Sequence, residues 1–454
     1  MREINADVIV VGAGSAGSYL AWRMAQAGLN VVVLEARRLD DLGTNIEVFH
    51  MDRRAFAEFD IPEPVEPERI HLETRSFMWS PDRSVCEKVD YPFFVMNMPL
   101  FYQRIHSYGR SAGVLFLESH VVTAPIIEGV ADHGAANHAI VGVRGHVAGE
   151  QFEARGRLVV DASGMTGGLR TRLPGDLGVE TDPIDSADVY SCCLELRTET
   201  GPEALKGSNS FIAHKGFWNR SYGDDVIIGM SQPADYDDTW RKHAEFREEY
   251  FGDPGRVVGR REGKVPFRRS LLSCVGPGFL IVGDAAFQNR PFSGEGVVSG
   301  IAASAIAARV AVAALKSGRA MVGALWPYNV EYFRGQGAKF AASYAQLPAA
   351  AELSRKDIDY LYRKHVIFAG EDFEELNTTY ELRMGPVKIA RMVWVLASGV
   401  LTGRFDGLSL CRLLAATRKA GRLKKHFLRY PVDPADFPGW EAKALELWGE
   451  EKRT

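Results

Sequence analysis

The chain has 454 residues, a formal net charge of −4 at pH 7, 46% hydrophobic residues and 25% charged residues. That length supports a sizeable core in about two to three domains, and the balanced charge gives no sign of nucleic-acid binding. Five scattered cysteines, Cys86, Cys192, Cys193, Cys274 and Cys411, contain no C-x-x-C pair. They suit a reducing, cytoplasmic compartment rather than a disulfide framework, and no metal site is expected.

The first element is an apolar, β-branched run, Asp7 to Val11, which predicts a buried parallel strand. The first strand begins so early that no signal peptide is expected. Gly12, Gly14 and Gly17 follow as G-x-G-x-x-G. Gly12 permits the tight turn, Gly14 lets backbone approach a pyrophosphate, and Gly17 lets the next helix pack against the strand. The N-terminus of that helix offers N–H groups and a positive dipole end to phosphates. Val31 to Leu34 predicts the second strand, and Glu35 stands where an acid meets ribose hydroxyls. An acid there disfavours a 2′-phosphate, so FAD or NAD fits better than NADP.

Residues 39–68 read as irregular, and 69–96 as short strands with a turn at Ser80-Pro81-Asp82. A helix is predicted over 98–113, a strand from Leu115 to Val122, and a β-meander over 126–160 that ends in Asp161-Ala162-Ser163-Gly164. Strands recur over 187–232, with Cys192 and Cys193 in an apolar run that reads as core. A helix follows at 237–251, then a buried strand at 279–282 that leads into Gly283-Asp284. A long Ala-rich helix is expected at about 296–317. The chain then reads as helical, with breaks near Pro348, Gly370 and Gly385-Pro386. No apolar run is expected to reach the ~18 residues of a spanning helix. Val387 to Leu401 comes nearest, but Lys388 and Arg391 interrupt it.

Three distant segments combine. They are the turn at 12–17, Asp161 to Gly164, and Gly283-Asp284-Ala285-Ala286 with Pro291-Phe292-Ser293-Gly294-Glu295-Gly296. Asp284 could accept a hydrogen bond from a ribityl hydroxyl. The Pro-x-Ser-Gly-Glu-Gly turn starts a helix whose N–H groups could face an anionic flavin ring edge. In this order the motifs resemble the single-Rossmann flavoproteins, a group of aromatic hydroxylases, flavin halogenases, lycopene cyclases and geranylgeranyl reductases. GAGSAGS at 12–18, WSPDR at 79–83 and GDAAFQNRPFSGEGV at 283–297 are most similar to the geranylgeranyl reductases.

The resemblance covers about residues 6–335 and implies an α/β fold. It consists of a discontinuous Rossmann-like FAD-binding domain of the para-hydroxybenzoate hydroxylase type (1–68, 98–186 and 272–322) and an inserted mixed β-sheet substrate domain (69–97 and 187–271). A helical C-terminal region fills 323–454. Implied FAD contacts are Gly12, Gly14, Ser15, Ala16 and Gly17 in the first turn, and Glu35, Ala36 and Arg37 beyond the second strand. Gln103, Val122, Asp161 and Gly164 follow, then Gly283, Asp284, Pro291, Gly294, Glu295 and Gly296. The resemblance also implies hydride transfer from reduced flavin to a C=C bond of an isoprenoid or similar apolar lipid, with the cofactor carrying the difficult chemistry.

Three departures stand out. No cysteine follows the ribose-binding acid, where the chain reads Gly43 to His50. Asn97-Met98 replaces an arginine expected before the 98–113 helix, leaving Gln103 or Arg104 as substitutes. A Tyr-x-Trp-x-Phe-Pro signature is absent. Glu47 and His50, in the cysteine's segment, are the catalytic candidates. Phe211, Phe217, Trp218 and Tyr222 are candidates for an apolar pocket. An FAD monooxygenase or halogenase-like enzyme is the alternative, although Trp218 lacks the paired tryptophan of halogenases. A non-catalytic flavoprotein that binds a lipid or partner is a second. No second glycine fingerprint is present, so NAD(P)H, a ferredoxin or free reduced flavin all remain open as reductant. Residues 412–430 hold seven Arg or Lys and no acid. Such a segment suits a solvated face, an acidic electron-donor protein, or peripheral contact with a membrane through 387–430.

Overall fold

A computed structural model describes residues 2–132, 135–198, 209–212, 216–222, 225–252, 255–291, 293–318, 320–366, 370–382 and 385–450. The strands, in chain order, are β1 (Arg2–Asn5), β2 (Val8–Val11), β3 (Val31–Leu34), β4 (Val48–Asp52), β5 (Arg69–Trp79), β6 (Cys86–Asn97), β7 (Leu115–Leu117), β8 (Val121–Asp132), β9 (Ala135–Val147), β10 (Glu150–Arg155), β11 (Leu158–Asp161), β12 (Val189–Thr198), β13 (Asn209–Ile212), β14 (Phe217–Tyr222), β15 (Asp225–Gln232), β16 (Arg256–Pro266), β17 (Val275–Gly276) and β18 (Phe279–Ile281). The helices are α1 (Ser15–Gln26), α2 (Arg53–Glu58), α3 (Met98–Ser111), α4 (Tyr236–Phe251), α5 (Val297–Ser317), α6 (Val322–Tyr332), α7 (Ala338–Ala351), α8 (Arg355–Arg363), α9 (Gly370–Thr379), α10 (Pro386–Leu401), α11 (Gly407–Phe427) and α12 (Phe437–Trp448).

The strands form three sheets. One has the order β17-β18-β11-β2-β3-β7 and is parallel except at β17–β18. Every residue of β2, β3 and β11 is buried, as expected of parallel strands covered on both faces. Pairing of Val11 with both Asp161 and Leu34 brings three strand ends to one edge. The β1-β10-β9-β8 sheet packs into the same core through Ile140, Val143 and Phe152. The third sheet has eight strands, in the order β16-β12-β15-β14-β13-β5-β6-β4. One of its faces packs on α4 through Phe217, Ile228 and Tyr250. Its other face meets α8 and α9 through Leu194, Ile227, Tyr362 and Phe373.

Several local expectations are corrected. Val48–Asp52 lies within the stretch read as irregular and nucleotide-binding, yet it pairs with β6 as an edge strand of the large sheet. Five residues of mixed polarity carry too short a pattern to mark it. Leu115 to Val122 is two strands in different sheets, because the chain turns at Ser119 with φ of +59°. Pro348 does not end its helix, which continues to Ala351. Val297–Ser317 does have the length and hydropathy of a spanning segment. Here that property serves the interior. Its small buried residues, among them Ser299, Gly300, Ala303, Ser304 and Ala307, let α5 pack closely beside α1.

The first glycine turn is held by backbone contact. A Cβ on Gly12 would stand 2.2 Å from the Ala162 carbonyl oxygen, and Gly12 has φ of +107°. A Cβ on Gly17 would stand 2.3 Å from the Gly12 carbonyl oxygen. Gly14 caps α1 at φ −69°, with no atom within 4 Å of its Cβ position. Gly12→Ala is therefore expected to cost more than ~2 kcal/mol of stability, since it adds both a backbone clash and a left-handed φ. Gly14→Ala should change stability by less than about 1 kcal/mol. Urea unfolding of the two variants tests the difference.

Candidate functional site

The edge where β2, β3 and β11 end opens into one continuous cavity of about 1220 Å³. Gly14, Ser15, Ala16, Arg37, Tyr102, Gly164, Gly283 and Asp284 line it. So do Gly294, Glu295 and Gly296, together with an apolar group that includes Met78, Phe93, Leu194, Trp218, Tyr362 and Phe373. Backbone turns of the parallel sheet and side chains of the large sheet therefore share a single space.

At the nucleotide end, no side chain caps α1, and the space above Gly14 is open. Glu35 reaches back along the strand ends: Oε2 accepts from the Ala13 N–H at 2.8 Å and Oε1 from the Arg37 N–H at 3.0 Å. Asp284 lines the cavity, and among the described residues nothing donates a hydrogen bond to its carboxyl. Burial pushes that carboxyl up to about 6. Tyr102 sits opposite, its hydroxyl pushed up to about 12 by burial and the nearby Asp284 carboxylate.

The Ser293–Gly296 turn carries a side-chain network that the sequence did not reveal. Arg220 Nη1 donates to His50 Nδ1 at 2.6 Å, and His50 Nε2 pairs with Glu295. Arg290 Nη1 donates to Glu295 Oε2 at 2.8 Å and to Asn377 Oδ1 at 2.6 Å. Burial and the Arg220 guanidinium lower the His50 pKa, so the ring is neutral with its proton on Nε2. Burial alone would raise the Glu295 carboxyl, but His50, Arg290 and Arg220 hold it at about 2. Burial brings Arg220 down to about 10. The network ties β4 and β14 of the large sheet to the turn before α5.

Several sequence-predicted residues stand off the cavity. Glu47 ion-pairs with Arg261, Nε to Oε2 at 2.8 Å, and does not line the space. Asp161 is fully buried as a local staple that accepts from the Ser163 and Arg170 N–H groups at 3.0 and 2.6 Å. Gly12 and Gly17 serve backbone packing, and Pro291 is buried behind the turn. Ala36 and Gln103 point to solvent, and Val122 packs on the core. Arg104 is taken by Glu68, with Nη2 to Oε1 at 2.8 Å. Tyr102, one residue before Gln103, faces the cavity from α3, as does Met98.

Strand alternation divides the aromatic candidates. Trp218 and Arg220 face the cavity, whereas Phe217 is fully buried on the opposite face against Phe246, Tyr250 and Phe251. Tyr222 lies beyond the lining, beside Asn97. The Phe211 side chain lies outside the described residues.

Known proteins share this fold. A model of NAD(P)-binding Rossmann-like domains matches residues 10–60. The digeranylgeranylglycerophospholipid reductase of Sulfolobus acidocaldarius is 24% identical, over 97% of this chain and 96% of its own length. A geranylgeranyl bacteriochlorophyll reductase-like protein from Thermoplasma acidophilum superposes with a TM-score of 0.72 at 16% identity, over 93% of this chain and all of that one. The chain is geranylgeranyl reductase-like. The p-nitrophenol 4-monooxygenase of Pseudomonas putida, 17% identical, superposes over 86% of this chain and 98% of its own with a TM-score of 0.61. The architecture is thus that of the wider single-Rossmann flavoprotein group. The Arg220–His50–Glu295–Arg290 network is built from residues up to 245 positions apart in sequence, from His50 to Glu295.

Glu295 makes a direct prediction. Its carboxyl is held below its ordinary value, so it adds stability above about pH 4.5 that is lost as pH falls towards 2. Glu295→Gln should cost about 2 kcal/mol at pH 7, below the ~3–5 of a fully buried broken pair because the site is partly exposed. The gap from the native protein should close on acidification. Urea unfolding from pH 7 to pH 3 measures this, and a pH-independent gap would contradict it.

Proposed function

We propose that this chain is an FAD-dependent oxidoreductase that reduces C=C bonds of an isoprenoid or similar apolar lipid chain. The observation that carries the reading is the single cavity that joins the glycine turns to an apolar chamber. The similarity to named lipid reductases along nearly the whole chain supports it.

The residues present fit FAD. The open, uncapped start of α1 suits the pyrophosphate, and Glu35 suits the ribose of the ADP half. The Asp284 carboxyl, without a donor of its own, suits a ribityl hydroxyl. The Gly294–Gly296 backbone at the start of α5 suits the electron-rich edge of the ring. FAD, once bound and reduced, supplies the hydride.

The protein supplies the rest. Met78, Phe93, Leu194, Trp218 and Phe373 align an apolar chain and exclude water. His50 holds a proton on Nε2 at the junction of the chamber and the ring-side turn, with Glu295 fixing the ring. That proton is committed to Glu295, so His50 acts as a positioning residue for the ring-side turn, and we assign water at this polar junction as the proton source for the second alkene carbon.

Anaerobic reduction of the reconstituted protein followed by addition of a geranylgeranyl lipid tests the reading. Flavin reoxidation with a saturated product is expected. Substrate-stimulated oxygen uptake with a hydroxylated product would instead mark a monooxygenase. His50→Ala should lower turnover roughly tenfold or more by releasing the ring-side turn from its place, while FAD content stays intact. Glu47→Gln should leave turnover within about twofold, given its position off the cavity. Binding also carries a pH signature. A hydroxyl donor favours ionised Asp284, so FAD affinity should rise as pH increases through about 6 and then level off. Asp284→Asn should bind about tenfold more weakly and lose that slope, since a hydrogen bond to a charged group contributes about 1.5–3 kcal/mol. Flavin fluorescence titration measures both.

A further inference from the structure

The outer face of the C-terminal helices has features that the reductase chemistry does not use. On α10, Met392, Val395, Leu396 and Val400 turn inward against Leu353, Tyr360 and Phe405. The opposite face carries Val387, Ala390, Trp394, Ala397 and Leu401, at alternating spacings of three and four, and all are exposed. Val387 is 83% exposed, Trp394 68% and Leu401 87%. Arg391 interrupts this side and donates to the Lys364 carbonyl at 3.0 Å, but the apolar stripe beside it has no cover among the described residues, and such an exposed stripe marks a face that meets another apolar phase.

Past the 402–406 connection, α11 has an exposed face of its own. Leu408, Cys411 and Ala415 give way along the same face to Arg418, Arg422, Lys425 and Arg429. From Leu382 to Val432 the sequence has eleven Lys or Arg and one acid, Asp406. Some of these cations are occupied. Lys388 pairs with Asp372, Arg412 with Glu352, and Lys424 with Glu381. Arg404, Arg418, Arg422, Lys425 and Arg429 are exposed, and their side chains have no ion pair or hydrogen bond among the described residues.

We propose that α10 and α11 form a docking surface for an anionic phospholipid bilayer. Trp394, Val387 and Leu401 enter the interfacial layer, and the unpaired α11 cations lie over lipid phosphates. The charge pattern selects this occupant. A second copy of the chain would set the same five unpaired cations near their own kind, whereas an anionic surface neutralises them. Tryptophan is suited to the headgroup level, with an apolar body and one N–H donor. The inner side of the same helix pair covers Leu353, Ile358 and Leu413, which line the cavity. Docking would therefore put the apolar chamber next to the phase that holds long isoprenoid lipids. The surface stands on exposure and charge alone, so it can fail without the reductase reading failing, and the reverse also holds.

The test is flotation of the purified, FAD-loaded chain with vesicles of phosphatidylglycerol and phosphatidylcholine in equal parts, against phosphatidylcholine alone. Flotation with the mixed vesicles, weakened by salt and by loss of phosphatidylglycerol, is expected. Trp394→Glu with Leu401→Glu should reduce binding more than about tenfold, since each change removes a large apolar side chain from the interface. Both residues are exposed and off the cavity, so the double variant should keep its thermal stability and its turnover of detergent-dispersed substrate. Absence of flotation overturns the proposal, as does undiminished flotation of the double variant. A dimer in sedimentation that the double variant dissociates would also overturn it, because a second copy would then cover the face.

Discussion

Backbone contacts without side chains hold the nucleotide end of this molecule together. Gly12 lies against the Ala162 carbonyl, Gly17 against Gly12, and Gly283 against the Ala16 methyl, each too close for an added Cβ. Three segments from distant parts of the chain are thereby locked at the edge where β2, β3 and β11 end. That lock sets the floor of the cavity. It aims the start of α1 and the Gly283-Asp284 turn at one space, and it places the Ser293–Gly296 turn where the large sheet can reach it. The arrangement follows the general rule that ligands sit outside the carboxyl ends of parallel strands.

The large sheet answers that floor with charge. His50 from an edge strand and Arg220 from the sheet interior converge on Glu295, which Arg290 holds from the other side. A partly buried carboxylate with three cationic or polar partners is costly to break, so the two sheets are coupled through the turn itself. The same contacts fix the tautomer of His50. The place of that ring beside the turn is then a consequence of how the sheets are joined rather than a separate feature.

The parts of the fold carried by local backbone rules were legible in the sequence. The first glycine turn, the strand ahead of Asp161, the Gly283-Asp284 turn and the long α5 helix depend on residues within a few positions of one another. What depends on pairing across the chain was not. Arg220 lies 170 residues from His50, and nothing around either marks the partnership. Trp218 and Phe217 differ by one position, and strand register alone sends one to the cavity and the other to α4. Val48–Asp52 joined the large sheet because β6 offered it an edge. Tyr102 took the place sought for Gln103 through helix phase. The charge run at 412–430 was visible, but the exposed apolar stripe on α10 emerges only once α8 and α11 have claimed its inner face.

The proposed chemistry requires a redox ring and an apolar chain at the two ends of one cavity. A crystal structure of the FAD-loaded protein with a geranylgeranyl lipid tests it most directly. The ring edge is expected on the Gly294–Gly296 backbone, with an alkene stacked beside the ring and the chain running past Trp218 and Phe93 towards Tyr362. A lipid bound outside that cavity, or a ring turned away from the Ser293–Gly296 turn, would contradict it.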